Sequence, residues 1–205
     1  MESAVNQIKS KIIKSKRGKL FFPDDFATLG TPDAIRLTLG KLQKSGLLMR
    51  VAHGIYYYPK INRNKYIKNK YLSPSIDEIA YSIAKRDKIR IVPTGAYALN
   101  TLGLSTQVPA NAVFITDGAP RRITIGKGKG ILFKHTSEVR RLAFKSDLLM
   151  LIDSALREIG EGKLRLHELE IIKDKLKYAT QKDIDKDIDL MPIWVRETVL
   201  KIWNS

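Results

Sequence analysis

Residues 31–59, TPDAIRLTLGKLQKSGLLMRVAHGIYYYP, decide the fold of this chain. Thr31 offers a side-chain oxygen at a helix N-cap, Pro32 is pre-set for the first helical position, and Asp33 places negative charge at the positive end of the helix dipole. A helix therefore begins here. Ile35, Leu39 and Leu42 recur at spacings that stack on one face, and Gly46 follows as the left-handed C-terminal cap. The same wheel turns Asp33, Arg36, Gly40, Lys41 and Lys44 the other way, as a polar, mostly cationic face. Beyond Gly46 the pattern becomes strand-like from Leu47 to Val51. His53-Gly54 then makes a hairpin turn, Ile55 to Tyr58 make a second strand, and Pro59 blocks further pairing.

Working outward, Val5, Ile8 and Ile12 mark an amphipathic helix over about residues 3–15. Leu20-Phe21-Phe22 reads as a short strand, and Pro23 to Leu29 as a short helix ended by Gly30. Helix, strand, helix, turn, helix and hairpin together predict a winged helix-turn-helix, a module that binds DNA or, as the alternative, serves as a protein-protein adaptor. In the Ile55 to Tyr58 strand, alternation predicts that one set of tyrosines packs inward while the other shows its hydroxyl to solvent or phosphate, with core packing expected for most of the cluster.

Charge favours a polyanionic partner. The chain has 205 residues, with 37 Lys plus Arg against 21 Asp plus Glu, a formal +16. Residues 1–72 hold 15 basic and 4 acidic side chains, residues 73–145 hold 12 and 5, and residues 146–205 hold 10 and 12. The excess sits in the first two stretches, as expected of a surface that releases counterions from phosphates. The tract Lys60, Arg63, Lys65, Lys68 and Lys70 reads equally as a solvated linker.

The length exceeds one winged module, so two domains are expected: 1–72, the DNA-binding module, and 73–205. The break falls where Leu72-Ser73-Pro74-Ser75 interrupts the periodicity. Ser75 and Glu78 then form a capping box for a helix carrying Ile76, Ile79, Ala80 and Ile83. Further on, Ile89–Val92 reads as a strand, Pro93-Thr94-Gly95 as a turn and cap, and Ala96–Leu102 as a helix ended by Gly103. Strands are expected at 112–116, 122–125 and 131–134, the last two joined by Gly126-Lys127-Gly128-Lys129-Gly130. Helices follow from 148 to 159, 166 to 178, 181 to 188 and 192 to 203. The fold class is α+β, an N-terminal winged helix-turn-helix followed by a mixed α/β domain that ends in helices.

Arg50-Val51-Ala52-His53-Gly54-Ile55-Tyr56, together with residues 93–104, PTGAYALNTLGL, resembles the AbiEi family of type IV toxin-antitoxin antitoxins, in its short uncharacterised-domain branch. The resemblance spans roughly residues 3–145. It implies a DNA-binding transcriptional repressor of its own operon that also counters a nucleotidyltransferase toxin encoded beside it, as part of antiviral abortive infection. Direct contact with the toxin is left open by the resemblance. The residues themselves support only the DNA-binding half.

The expected DNA contacts are Thr31 near phosphate, Arg36, Lys41 and Lys44 in the major groove, and Arg50 and His53 on the wing. Arg36 is the base reader, because a guanidinium can bridge both guanine acceptors. A second basic group, Arg121, Arg122, Lys127 and Lys129, offers a contact for nucleic acid or a protein partner, with an ordinary turn as the alternative. The partner is operator duplex DNA, bound by a homodimer if half-sites are paired.

Enzyme readings find no support. His53, His135 and His167 are isolated, and Ile171 stands where a zinc helix after His167-Glu168 needs a second histidine. Asp183, Asp185, Asp187 and Asp189 alternate as on an exposed helix with a buried seam, and Glu161-Gly162-Lys163 lies in a loop. No cofactor and no metal are expected. The chain contains no cysteine. With no apolar run of membrane-spanning length and no signal peptide, a cytoplasmic location is expected. The alternative function is a nucleic-acid-processing or host-interaction protein that uses the winged module only for delivery.

Overall fold

A computed structural model of the chain describes residues 3–64, 70–126 and 128–205. The molecule is mixed α and β, and falls into two compact units, Met1–Ile83 with Ile125–Lys127, and Ala84–Thr124 with Gly128–Ser205. The division lies inside a helix, Ile76–Asp87, rather than before it at residues 72/73. Ser75 starts this helix as foreseen, its hydroxyl accepting from Glu78 N at 3.0 Å while the Glu78 carboxylate accepts from Ser75 N at 2.8 Å. Glu78 also accepts from Lys60 Nζ at 2.7 Å, which ties the first turn to the first unit.

The first unit opens with helix α1 (Ala4–Ile13), capped by the Ser3 hydroxyl. It buries Ile8 and Ile12, whereas Val5 is left exposed. Strand β1 (Leu20–Phe21) leads into a 3-10 helix, Pro23–Leu29, whose Asp25 carboxylate accepts from Phe22 N at 2.8 Å. Helix α2 (Pro32–Lys44) follows Gly30 after the single N-cap residue Thr31. It ends in a Schellman motif: Gly46 takes φ +78°, Leu47 N bonds Leu42 O, and Gly46 N bonds Gln43 O. Only glycine adopts that φ without strain.

Strands β2 (Met49–Ala52) and β3 (Ile55–Tyr57) form an antiparallel hairpin turned at His53-Gly54. The register slips between Arg50 and Ala52, so Val51 is the extra residue of a bulge. The three strands lie in the order β1-β3-β2. Phe21, Phe26, Ile35, Leu39, Leu42, Leu48, Tyr56 and Tyr58 join Ile8 and Ile12 in one core. Each fully buried aliphatic or aromatic side chain of this kind contributes about 1.5–3 kcal/mol relative to exposure.

Core packing, expected for most of this aromatic cluster, extends to all three tyrosines, and the alternation of an inward with an outward set does not hold. Tyr56 and Tyr58 are 6% exposed and Tyr57 is fully buried. The burial of Tyr57 shows that the second face of β3 is covered as well, and the Tyr57 hydroxyl sits near Glu78 and Lys60. Burial first, and then the Glu78 charge, push its pKa upward. A second, two-stranded sheet pairs β4 (Lys60–Ile61) with β5 (Tyr71–Leu72). Lys65 and Lys68 of the basic tract lie outside the described residues, and helix Ile76–Asp87 is α3 below.

The second unit places β6 (Ile91–Thr94), β7 (Asn111–Thr116), β8 (Arg121–Ile125) and β9 (Lys129–His135) in the order β6-β7-β9-β8. Strands β6 and β7 are antiparallel, and β7 and β9 are parallel, from Asn111↔Gly130 to Thr116↔His135. Period-two alternation then sorts the faces. Phe114 and Phe133 meet with tilted rings at 6.0 Å, with Tyr97 at 5.4 Å from Phe114, while Val92 and Ile115 pack with Leu142 and Met150.

Helix α4 (Gly95–Leu102) crosses from β6 to β7 and ends at Gly103, φ +86°. Thr94 stands at its N-cap, but its side chain makes no cap bond. Its hydroxyl instead accepts from Arg141 Nη2 at 3.3 Å, which corrects the capping role expected of it. Helix α5 (Asp147–Ile159), capped by Ser146, gathers α6 (Leu166–Leu176), α7 (Gln181–Asp187) and α8 (Ile193–Trp203) around Leu149, Ile152, Leu156, Ile172, Val195 and Val199.

The alternating aspartates also depart from expectation. Asp187 is fully buried, and its carboxylate accepts from Lys145 N at 3.0 Å and Ser146 N at 2.7 Å. It closes the start of α5 from a neighbouring helix, a charge-assisted arrangement that satisfies donors left open at a helix N-terminus.

Candidate nucleic-acid interface

Helix α2 presents one buried and one open face. Ile35, Thr38, Leu39 and Leu42 are buried, and the Thr38 hydroxyl donates to Ala34 O at 2.8 Å, so even the polar member of that face is satisfied. Arg36, Lys41 and Lys44 are exposed, as the helical spacing required. Arg36 keeps 67% of its side chain in solvent and meets Asp33 Oδ1 at 3.2 Å, an exposed i,i+3 pair worth at most a few tenths of a kcal/mol. Among the described residues Lys41 and Lys44 stand in no ion pair. Thr31 is exposed and spends its oxygen on the cap, accepting from Ala34 N at 3.4 Å. Its hydroxyl hydrogen is left to donate elsewhere.

The hairpin contributes the other pair. Arg50 and His53 are exposed, and Arg50 Nη2 lies 3.0 Å from His53 Nδ1, past the Val51 bulge at the start of the turn. That contact requires the neutral ring to accept at Nδ1, leaving the hydrogen on Nε2. The structure thus brings Arg50 to His53 and Arg36 to Asp33, and sets Lys41 and Lys44 on the same helix face as Arg36.

Some other cations of the first unit, Arg17 and Lys60 among them, are engaged internally. Arg17 donates to Pro59 O at 2.9 Å and stacks on Tyr58 at 4.4 Å, and Lys60 holds Glu78. The hydrogen bond from Lys60, reinforced by Ser75 N, holds the Glu78 carboxyl below the usual carboxylate range.

Of the second basic group, Arg121 and Arg122 are engaged within the protein. Arg121 is half-buried, bonded to Asp87 and 5.3 Å from the Phe133 ring centre. Asp87 takes Arg86 Nε as well, at 2.6 Å, and the Arg86 bond leads the lowering of its pKa, with Arg121 adding to it. Arg122 is exposed but donates to Asn111 Oδ1 at 3.0 Å. Lys129 is exposed at the start of β9, and Lys127 lies outside the described residues.

Signals missed in the sequence lie on both units. On α2, Leu37 is 62% exposed, and a Cβ added at Gly40 would meet nothing within 4 Å. The helical arithmetic that grouped Arg36 with Lys41 places Leu37 between them. In the second unit a cleft of about 390 Å³ is lined by Glu138, Arg140, Arg157 and Met191 among others. Its Arg157 is already held by the buried Asp153 at 2.8 Å, and burial raises the Asp153 pKa against that attraction. Among the described residues no three His, Cys, Asp or Glu side chains come together to hold a metal ion, and no helix is long and apolar enough to cross a membrane.

What α2 and the hairpin offer chemically is a set of outward donors, one planar guanidinium and two ammonium groups on a single rigid helix, with a second guanidinium and an imidazole on a tight turn. Such donors match phosphate oxygens and the acceptor edges of guanine. A comparison with curated proteins finds no match. The model of a family of unknown function, DUF6088, matches residues 7–184, a span that takes in most of both units. The chain belongs to the DUF6088 family.

Proposed function

We propose that α1, β1, the 3-10 helix, α2 and the β2–β3 hairpin form a winged helix-turn-helix that binds duplex DNA, with α2 in the major groove and the hairpin as the wing. The observation that carries this reading is the open cationic face of α2, where Arg36, Lys41 and Lys44 all face solvent while the apolar face of the same helix is buried. Net charge supports it, since residues 1–72 carry 15 basic against 4 acidic side chains. Arg36 reads a guanine, Lys41 and Lys44 take phosphates, Thr31 donates to a phosphate at the helix start, and Arg50 with His53 reach the backbone or the adjacent minor groove. The chain acts from the cytoplasm as a repressor of its own operon, as a homodimer where half-sites are paired.

The antitoxin half of the proposal rests on the resemblance of residues 50–56 and 93–104 to the AbiEi antitoxins. In this reading the second unit opposes a nucleotidyltransferase toxin encoded beside the gene.

The binding test is titration of the full chain on its own promoter duplex over a range of salt. Neutralised phosphates release counterions, so the logarithm of affinity is expected to fall linearly with the logarithm of salt, with a slope near −0.9 per phosphate contact. Affinity independent of salt and of sequence refutes the DNA reading. Growth arrest by a neighbouring nucleotidyltransferase that co-expression of this chain fails to relieve refutes the antitoxin reading.

A further inference from the structure

Two residues at the centre of the open α2 face are unexplained by the packing of the protein itself. Leu37 is 62% exposed. By the 3.6-residue repeat it lies opposite Ile35 and Leu42 and is surrounded by Asp33, Arg36, Lys41 and Lys44. Gly40 lies one turn further along the same line. Its backbone is not left-handed, and a Cβ there would meet nothing within 4 Å, so neither conformation nor space inside the unit requires glycine. In a helix interior glycine is among the poorest choices, well below alanine. A lone exposed leucine is ordinary. A leucine at the centre of a cationic face, beside a glycine that opens the backbone, forms a shallow notch with an apolar edge and basic flanks.

The major groove carries one apolar group with the matching size, the C5-methyl of thymine, set among guanine and adenine acceptors. A helix that lacks a side chain at Gly40 can lie closer to the base edges than one that carries a Cβ there.

We propose that Leu37, brought near by the missing side chain at Gly40, packs on a thymine C5-methyl in the base pair next to the guanine taken by Arg36. The inference rests on the DNA-binding reading and deepens it, by giving α2 a sequence preference that its cations alone do not supply.

The test enriches duplexes from a random-sequence library with the purified full chain, then replaces each thymine of the enriched site in turn by deoxyuridine, which lacks only the methyl. Binding is read by fluorescence anisotropy. One thymine is expected at which loss of the methyl weakens the wild-type chain about fourfold, the worth of one buried methyl group. Leu37→Ala is expected to bind thymine and deoxyuridine duplexes equally there. Gly40→Ala is expected to bind the site more weakly although its thermal midpoint does not fall, which separates a lost approach to DNA from a lost fold. A site indifferent to every methyl, equal methyl dependence in Leu37→Ala, or wild-type affinity in Gly40→Ala overturns the inference and leaves DNA binding standing. No enriched duplex at all removes both.

Discussion

In the second unit Arg86 and Arg121 close on Asp87, Arg157 on Asp153 and Glu138, Arg165 on Glu168, and Arg196 on Asp189. On α2 of the first unit Lys41 and Lys44 face solvent, and Arg36 meets only an aspartate that is itself 95% exposed. The same residue types thus serve two ends. Where a carboxylate waits within reach, arginine becomes part of the scaffold, and its charge is cancelled locally. Where none does, the cation stays available to a partner, and its removal costs the fold little. Net charge alone does not distinguish these cases; the location of the acids does.

That contrast can be broken by substitution, most severely first. Asp187→Ala removes both acceptors for Lys145 N and Ser146 N, and is expected to lower stability by about 3 kcal/mol in urea unfolding while sparing DNA affinity per folded molecule. Weak unfolding effects there would mean that the buried acids are not structural. Arg36→Ala is expected to cost about 2 kcal/mol of affinity for a selected duplex, with unfolding unchanged to within about 0.5 kcal/mol. Arg121→Ala should do the reverse, lowering stability by about 1 kcal/mol through Asp87 without changing the salt slope of binding. If it flattens the slope, the second basic group contacts nucleic acid after all. Lys41→Ala and Lys44→Ala are each expected to reduce that slope by about 1 and to weaken all sequences alike, as phosphate contacts do.

The smallest effect is one of pH. The pKa values of Glu78 and Asp87 are lowered in the folded chain, Glu78 chiefly by Lys60 and Asp87 chiefly by Arg86. Their contribution is therefore complete above the unfolded carboxylate pKa, about 4, and is lost as pH falls through the lower folded values. Thermal midpoints measured from pH 7 down to pH 3 should hold steady and then drop, and Glu78→Gln should shallow that drop.

Much of this layout was legible from local chemistry. Thr31, and Ser75 with Glu78, announced their helices because a cap is read from a few neighbouring residues, and Gly46 announced a stop for the same reason. The outward set Arg36, Lys41 and Lys44 followed from the spacing of Ile35, Leu39 and Leu42. What escaped depends on contacts distant in sequence. Alternation assumed a wet face for β3, but a central strand covered on both sides buries Tyr56, Tyr57 and Tyr58 together. Asp187 read as solvated because nothing nearby shows that residues 145 and 146 lie against it. The pairing of Arg121 escaped because its acid, Asp87, sits 34 positions earlier. Leu37 was passed over because it interrupts a polar face, and interruption was the signal.

The order β6-β7-β9-β8 bears on how the second unit is made. Strand β9 leaves the ribosome last yet lies between β7 and β8, so β8 has no sheet neighbour and β7 keeps an open edge until residues 129–135 have emerged. A nascent or truncated polypeptide stopping short of that segment exposes two strands able to pair with other chains. Truncations of this protein are accordingly expected to stay dispersed only when they run past His135.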